Sequence, residues 1–521
     1  MSYFLGIDIG TYSSKGVLVD GDGQIVGRHD ASHELSMPRP GWAEHDADAV
    51  WWRDFTAICR ALLSESGVEA ADIAAVGTSG IAPCVLPLSE DGRPLHPAIL
   101  YGIDTRATAE IDELNAELGA DWILERTGSE LSAQSAGPKI LWIKHNEPEV
   151  WRSARFFVTS TSYLVYRLTG RRAIDHYTAA FCGPLYDIAA RRWSQAGCAP
   201  VCRPDQLAEP MWTTDVAGHV TAEAAAVTGL AEGTPVIAGT ADAASEAVSA
   251  GVMSPGDTMV MYGSSVFIIR VFADQPHGGV FWPAPFLFPG TFALAAGMST
   301  TGAITQWFRR ELGAAEVATE EAGGRNAYEA LAAAAAEVAP GAEGLVALPY
   351  FSGERTPLND PNARGVVAGL TLSHTRAHLY RALLEGVALG VRHNLEEMAG
   401  AAGTAGVAEK PGAAARTDGD LVAIGGGTAN SLWMQIIADA LGRSHIVRSS
   451  PGASYGDAAL AAVGVGALGR EDIVAWVPDG EVVAPDDGAA AVYRRLYPLY
   501  RNLYADSAET VHAIAATARE E

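Results

Sequence analysis

The side chains best suited to chemistry lie close together near the start of the chain. Residues 6–15 read Gly-Ile-Asp-Ile-Gly-Thr-Tyr-Ser-Ser-Lys, which sets Asp8, Gly10, Thr11, Tyr12 and Lys15 in one short turn. A glycine lets backbone approach a ligand closely, and the amides and hydroxyls of such a turn can cradle phosphate oxygens. A carboxylate beside them suits a hydrated Mg²⁺. The alternative is a plain β-hairpin with a polar turn. Gly263-Ser264-Ser265 has the same make-up between two further strand-like runs. Asp242 follows an apolar run and precedes a helical stretch, so it is either a ligand-facing carboxylate at the carboxyl end of a strand or a helix N-cap. Gly425-Gly426-Gly427, ahead of Asn430, offers bare backbone against which a flat ring such as adenine could lie; the alternative is a tight strand-to-helix connection. Asp104-Thr105-Arg106 is either a contact to a polar substrate or a surface ion pair.

Other motifs read as packing. Gly464-Val-Gly466-Ala-Leu-Gly469 matches G-x-G-x-x-G but sits in a helical run, where small residues serve close helix contact. No G-x-x-x-x-G-K-[ST] sequence occurs, which excludes a P-loop. Trp42, Trp51 and Trp52 read as packing residues, and His45 has no visible set of metal partners.

The elements that position these residues alternate between strand and helix. Strand-like runs cover Tyr3–Ile9, Lys15–Asp20 and Gln24–His29, then Ala74–Thr78 after a helical stretch Ala49–Ser64. Pro97–Tyr101, Phe156–Thr159 and Thr234–Thr240 read as strands, with helices over Ser162–Leu168 and Ala243–Ala250. A second cluster opens with Asp257–Tyr262, the glycine–hydroxyl turn and Val266–Phe272, repeating the opening pattern. The repeat spans about half the chain, which points to domain duplication and not a solenoid; the alternative is chance similarity of two hairpins. Gly344–Leu348 and Leu421–Ile424 read as strands, and His378–Met398, Ser431–Leu441, Ala458–Leu468 and Tyr493–Tyr504 as helical. Residues 400–420, rich in Ala and Gly, read as a surface insertion.

The chain has 521 residues, enough for two large domains, and its formal net charge is −26. That charge argues against nucleic acid or an anionic membrane as partner, while a local turn can still bind an anion. Cysteines at 59, 84, 182, 198 and 202 form no Cys-x-x-Cys and no zinc spacing, so reduced, mostly buried thiols in a cytoplasmic setting are expected. Neither a signal peptide nor an apolar run of membrane-spanning length is visible.

In combination these pieces resemble the FGGY carbohydrate kinase family, within the actin-like ATPase superfamily, over nearly the whole chain. Asp8-Ile-Gly10-Thr11 with Lys15 looks like the family's first phosphate loop, Asp-x-Gly-Thr-x-Ser-x-Lys/Arg. Pro40–Asp46 looks like its Pro-Gly-Trp-x-Glu-x-Asp element, and Lys139-Ile-Leu-Trp142 fits its Lys-x-x-Trp. Ser352–Leu370 is close to a segment of xylulokinases, and Gly365–Leu370 with His378, Leu379, Ala382 and Glu385 nearly completes a second family signature. Gly425–Asn430 with Trp433 and Gln435 looks like the adenosine motif.

The resemblance implies an α/β fold of two actin-like (ribonuclease H-like) domains, 1–246 and 247–521, facing each other across an ATP/sugar cleft. It implies ATP-dependent phosphorylation of a sugar or polyol, most simply a ketopentose such as D-xylulose, in a cytoplasmic enzyme that forms a homodimer. Asp242 would be the catalytic base and Asp8 would place Mg²⁺. Thr11, Tyr12 and Lys15 would lie near the ATP phosphates with Gly263 and Ser264, while Gly302, Gln306, Gly426 and Asn430 would lie near the nucleotide. Tyr12 stands where Thr is commoner, and Ser264 replaces a usual Thr; both keep a hydroxyl.

The sugar site departs from the pattern. Xylulokinases carry Gln-Met-His and glycerol kinases Gln-Arg-Glu after the Gly-x-Ser-Gly turn, but here Gly77-Thr-Ser-Gly80 runs into Ile81-Ala82-Pro83. Ile81, Ala82, Asp104 and Arg106, with Asp242, are the expected substrate neighbours. Loss of polar groups that grip hydroxyls implies a changed specificity. Ribulose, erythritol-type or glycerol-type acceptors are therefore alternatives. Two other readings are a non-kinase actin-like ATP-binding module and a family member that binds sugar without phosphorylating it.

Overall fold

A computed structural model describes residues 2–401 and 419–517. Residues 402–418, most of the expected Ala/Gly-rich insertion, lie outside the described residues. The chain divides into two compact units. The first is Met1–Pro255 with Val271–Ala293 and Ser450–Pro478; the second is Gly256–Arg270 with Leu294–Ser449 and Asp479–Glu521.

In the first unit, strands Tyr3–Ile9, Ser13–Asp20 and Ile25–Ser32 form an antiparallel meander. Strand Ile73–Gly80 runs parallel beside the first of these, Pro235–Ile237 runs parallel beside that, and Val216–His219 closes the path antiparallel. The central strands are apolar on both faces because helices cover both. Ile7 and Gly16 sit opposite one another and face helix Arg53–Ser66, where a Cβ at Gly16 would meet Ile58 at 2.2 Å. Strand alternation turns Gly6 the other way. There a Cβ would meet the Ser454 carbonyl at 1.8 Å, and one at Gly77 would meet the Asp457 carbonyl at 2.1 Å. These two glycines let helix Ala453–Gly464 press onto the strands. Asp8 lies two residues beyond Gly6, and Ser79 two beyond Gly77, so both face that same helix.

A second sheet repeats much of the path. Strands Thr258–Tyr262 and Val266–Phe272 form an antiparallel hairpin, with Phe292–Met298 beside the latter. Leu421–Ile424 runs parallel beside the former, His445–Arg448 parallel beside that, and Gly480–Val483 closes antiparallel. From each hairpin onward the two sheets share strand order and directions, which bears out the duplication read from the two turns.

Several elements differ from expectation. The run Thr234–Thr240 is two strands, Pro235–Ile237 and Thr240–Ala241, broken where Gly239 adopts φ +71° against the Thr78 carbonyl. Only Ala98–Ile99 of Pro97–Tyr101 pairs as strand. The helix read as Ala49–Ser64 is a π-helical turn, Ala47–Trp52, continued by Arg53–Ser66. The Gly464–Gly469 run lies at a helix end, not inside one, because Ala453–Gly464 stops where the motif begins; a Cβ at Gly464 would meet Ile237 at 2.5 Å, which supports the packing role at that residue. All five cysteines are free and buried. Among the described residues, no helix is long and apolar enough to cross a membrane.

Candidate active site and nucleotide cavity

The first unit's turn closes through a Gly10 N–H to Ser13 carbonyl bond of 3.0 Å. Side chains from behind fix its shape. His45 Nε2 meets the Thr11 carbonyl at 3.2 Å, and Trp51 Nε1 donates to His45 Nδ1 at 3.0 Å. Indole nitrogen only donates, so Nδ1 is the acceptor and Nε2 carries the hydrogen. Burial, then His33, pulls the His45 ring down to about 4, which keeps it neutral. His33 reaches the Gly10 carbonyl at 3.2 Å and Asp54 at 2.8 Å, and Ser14 also donates to Asp54. Thr11 Oγ1 lies 3.0 Å from the Tyr101 hydroxyl, while Tyr12 is exposed.

Asp8 pairs across the hairpin with Lys15. Around it the first unit gathers carboxyls. Asp242 is the first residue of helix Asp242–Ser249, with Ala241 in the capping position, so it is not the N-cap. Its Oδ1 accepts the Ala243 N–H at 2.8 Å, and no hydrogen bond engages Oδ2 among the described residues. Glu246 follows one turn later on that helix and accepts from Ser450 Oγ at 2.5 Å. Asp457 is buried behind them. Burial, then the neighbouring Asp242, pushes Asp8 up to about 8, although Ser79 and Lys15 oppose this. Burial, with Glu246 adding, pushes Asp242 to about 6 against the pull of the Ala243 N–H.

The expected substrate neighbours divide. Ile81 is 2% exposed and belongs to the core, while Ala82 is half-buried with its carbonyl accepting from Gln134. Asp104 and Arg106 are not a surface pair: both side chains are fully buried. Asp104 accepts from the Ala43 N–H at 2.7 Å and from Arg106, which also reaches Glu44 at 2.8 Å and stacks on Trp42 at 3.9 Å. Their polar atoms tie the Pro40–Asp46 segment in place.

In the second unit, Gly263, Ser264, Gly302, Gln306, Gly426 and Asn430 all line one cavity of about 660 Å³. Helix Gly302–Leu312 starts against the turn: the Gly302 N–H bonds the Gly263 carbonyl at 3.0 Å, and a Cβ at Gly302 would meet that carbonyl at 2.4 Å. Asn430 caps helix Ser431–Leu441 by accepting the Trp433 N–H at 3.1 Å. Gly425 holds φ +92°, whereas a Cβ at Gly426 would meet nothing within 4 Å. Gly426 therefore has open space above it, as a stacked ring requires. Arg325, Tyr328, Ala332, Ala333 and Ala336 line the same cavity. Sequence reading missed these residues; the alanine run on helix Ala327–Ala336 was the available signal, since small side chains leave room for a ligand.

The duplicated sheets, each led by a glycine–hydroxyl hairpin turn, place the protein in the actin-like ATPase class of folds. Models of the FGGY family of carbohydrate kinases match residues 3–249 for the N-terminal domain and 258–465 for the C-terminal domain. The chain belongs to the FGGY family of carbohydrate kinases. It is 29% identical over 515 residues to a xylulose kinase of Bacillus subtilis (strain 168), covering 97% of each chain. It is 32% identical over 454 residues to a glycerol kinase of Nocardia farcinica (strain IFM 10152), covering 84% of this chain and 85% of that one. The crystal structure of xylulose kinase from Rhodospirillum rubrum superposes with TM-score 0.88 at 35% identity, covering 98% of this chain and 100% of that one.

Proposed function

We propose that the protein transfers the γ-phosphoryl group of ATP to a hydroxyl of a ketopentose such as D-xylulose, with Asp242 as base. The observation that carries this is the Asp242 carboxyl: it opens a helix, keeps one oxygen free and is pushed to about 6. At neutral pH such a group is ionised yet a better base than an ordinary aspartate. It takes the acceptor's O–H proton as that oxygen bonds to phosphorus, and the β–γ bridging P–O bond breaks to leave ADP. The second unit's cavity, with Gly426 bare and Gly302 against the Gly263 turn, suits the nucleotide.

Mg²⁺ fits this residue set through Asp8. Among the described residues no three acidic, histidine or cysteine side chains converge as a metal cage. Mg²⁺ takes one or two carboxylates together with substrate phosphates, so a single recessed carboxylate is sufficient. Asp8 is raised by burial and a like charge, with Lys15 opposing, so a cation there relieves an electrostatic cost. When bound, Mg²⁺ neutralises phosphate charge.

A second acceptor class, another polyol or ketose, is favoured by one observation: buried Ile81 and apolar Ala82 offer no side-chain hydrogen bonds. Incubation with MgATP and a panel of ketoses, aldonates and polyols, read by coupled ADP release and by product mass, tests both readings. A ketopentose giving the highest kcat/KM supports the first, and a different acceptor supports the second. ATP turnover that no acceptor stimulates would sink both.

A further inference from the structure

Asp457 has no part in the reading above, yet both of its oxygens are hydrogen-bonded. It is 1% exposed. Its Oδ2 lies 2.7 Å from Ser79 Oγ, which also lies 3.1 Å from Asp8 Oδ1. Its Oδ1 lies 2.7 Å from Ser245 Oγ, which also lies 2.8 Å from the Ala453 carbonyl. Ser245 is on the helix that Asp242 opens. One carboxyl thus gathers a hydroxyl bonded to Asp8 and a hydroxyl on the Asp242 helix.

The backbone is shaped to bring it there. Gly6 and Gly77 leave no room for a Cβ against Ser454 and Asp457, and a Cβ at Gly456 would meet the Ser245 carbonyl at 2.0 Å. Helix Ala453–Gly464 is pressed on one side to the strands of Asp8 and Ser79, and on the other to the helix of Asp242. We propose that Asp457 is a positioning residue for the phosphoryl transfer, setting Asp8 through Ser79 and the Asp242 helix through Ser245. The inference rests on the roles proposed for Asp8 and Asp242.

The hydrogen count predicts which substitutions it tolerates. The two hydroxyls carry two hydrogens for four acceptor contacts, and each donates one at a time. A third hydrogen, on position 457, completes a third bond. Burial, then Asp8, holds the Asp457 carboxyl well above the usual carboxylate range, which agrees with a carboxyl keeping its hydrogen. An asparagine supplies the same donor and acceptor, whereas alanine supplies neither.

The test is steady-state kinetics with MgATP and the best acceptor from the panel, on Asp457→Ala, Asp457→Asn, Ser79→Ala and Asp242→Asn. Asp457→Ala and Ser79→Ala should each lose at least about tenfold in kcat with KM for ATP changed less than about threefold. Both should need more Mg²⁺ for half-maximal rate. Asp457→Asn should keep more than about a third of the wild-type kcat. The proposal is overturned if Asp457→Ala, folded by circular dichroism, keeps wild-type kcat and Mg²⁺ requirement, or if Asp457→Asn is as impaired as the alanine variant. Should Asp457→Ala not fold, Ser79→Ala at wild-type kcat overturns it equally. An active Asp242→Asn enzyme would instead overturn the assignment of the base, which separates the two failures.

Discussion

The two glycine–hydroxyl turns share a hairpin and a place in the same strand order, but not their surroundings. Two residues before Gly10 stands Asp8, and around it the first unit gathers Asp242, Glu246 and Asp457. Two residues before Gly263 stands Met261, and that turn is backed by the start of helix Gly302–Leu312 and a cavity of about 660 Å³ lined mainly by glycines, alanines, aromatic and neutral polar groups, with Arg325 and Glu329 its charged residues. One copy of the motif has acquired charge and the other has acquired space. Buried carboxyls raised by burial and by one another mark a candidate functional site, whereas a cavity suits holding a ligand. Under the proposed function this difference would divide the labour, with transfer in the first unit and nucleotide holding in the second.

The sharpest way to break this division is Asp242→Asn. It should lower kcat by roughly 10²–10⁴-fold, checked by coupled ADP release. Next in size is Gly426→Phe. A Cβ there meets no protein atom within 4 Å and the residue lines an open cavity, so the fold should be unaffected while KM for ATP rises at least about tenfold. Unchanged KM would remove the second unit's cavity from nucleotide binding.

The pH dependence follows from Asp242. The base must be ionised and its carboxyl is raised to about 6, so kcat should be full above that pH and fall about tenfold per unit below it. Glu246 contributes to that rise, so Glu246→Gln should move the acid limb to lower pH; a limb that stays in place would separate the profile from Asp242.

The smallest effect concerns stability. Asp8 is raised from 3.8 to about 8 in the folded state, so between those values the native protein keeps a proton that the unfolded chain has released. Stability then falls as pH rises through that window. Asp8→Asn removes the penalty and should melt a few degrees higher than wild type at pH 8, with the gap closing toward pH 4. Equal melting temperatures at both pH values would contradict the electrostatic strain assigned to this unit.

Much of this was legible in the sequence, for identifiable reasons. The turns at Gly10 and Gly263 were readable because glycine and hydroxyl residues between β-branched runs admit few conformations, and Val266–Phe272, Leu421–Ile424 and Ser431–Leu441 have the bounds expected from sequence. Gly263, Ser264, Gly426 and Asn430 line one cavity because each lies beside a strand end or helix start readable from pattern, whereas Gly302 and Gln306 of that cavity were reached only through the family resemblance. Asp457 was invisible: a lone carboxyl in an apolar helix has no local signature, and only the clearance at Gly6 and Gly77 shows what it touches. Asp104 and Arg106 were legible as a pair but not as buried, since burial there comes from Trp42 and Trp142, distant in the chain. His33 and Asp54 likewise support the first turn through contacts that spacing cannot reveal.

The division of labour is tested most directly by measuring binding and turnover on the same two variants. Calorimetric titration of a non-hydrolysable ATP analogue, with Mg²⁺ present, is paired with the coupled assay for Asp242→Asn and Gly426→Phe. Asp242→Asn is predicted to bind the analogue as wild type does while turning over at less than about a hundredth of its rate, and Gly426→Phe to lose binding. An Asp242→Asn enzyme that keeps more than about a tenth of wild-type turnover, or a Gly426→Phe enzyme that binds the analogue normally, would contradict it.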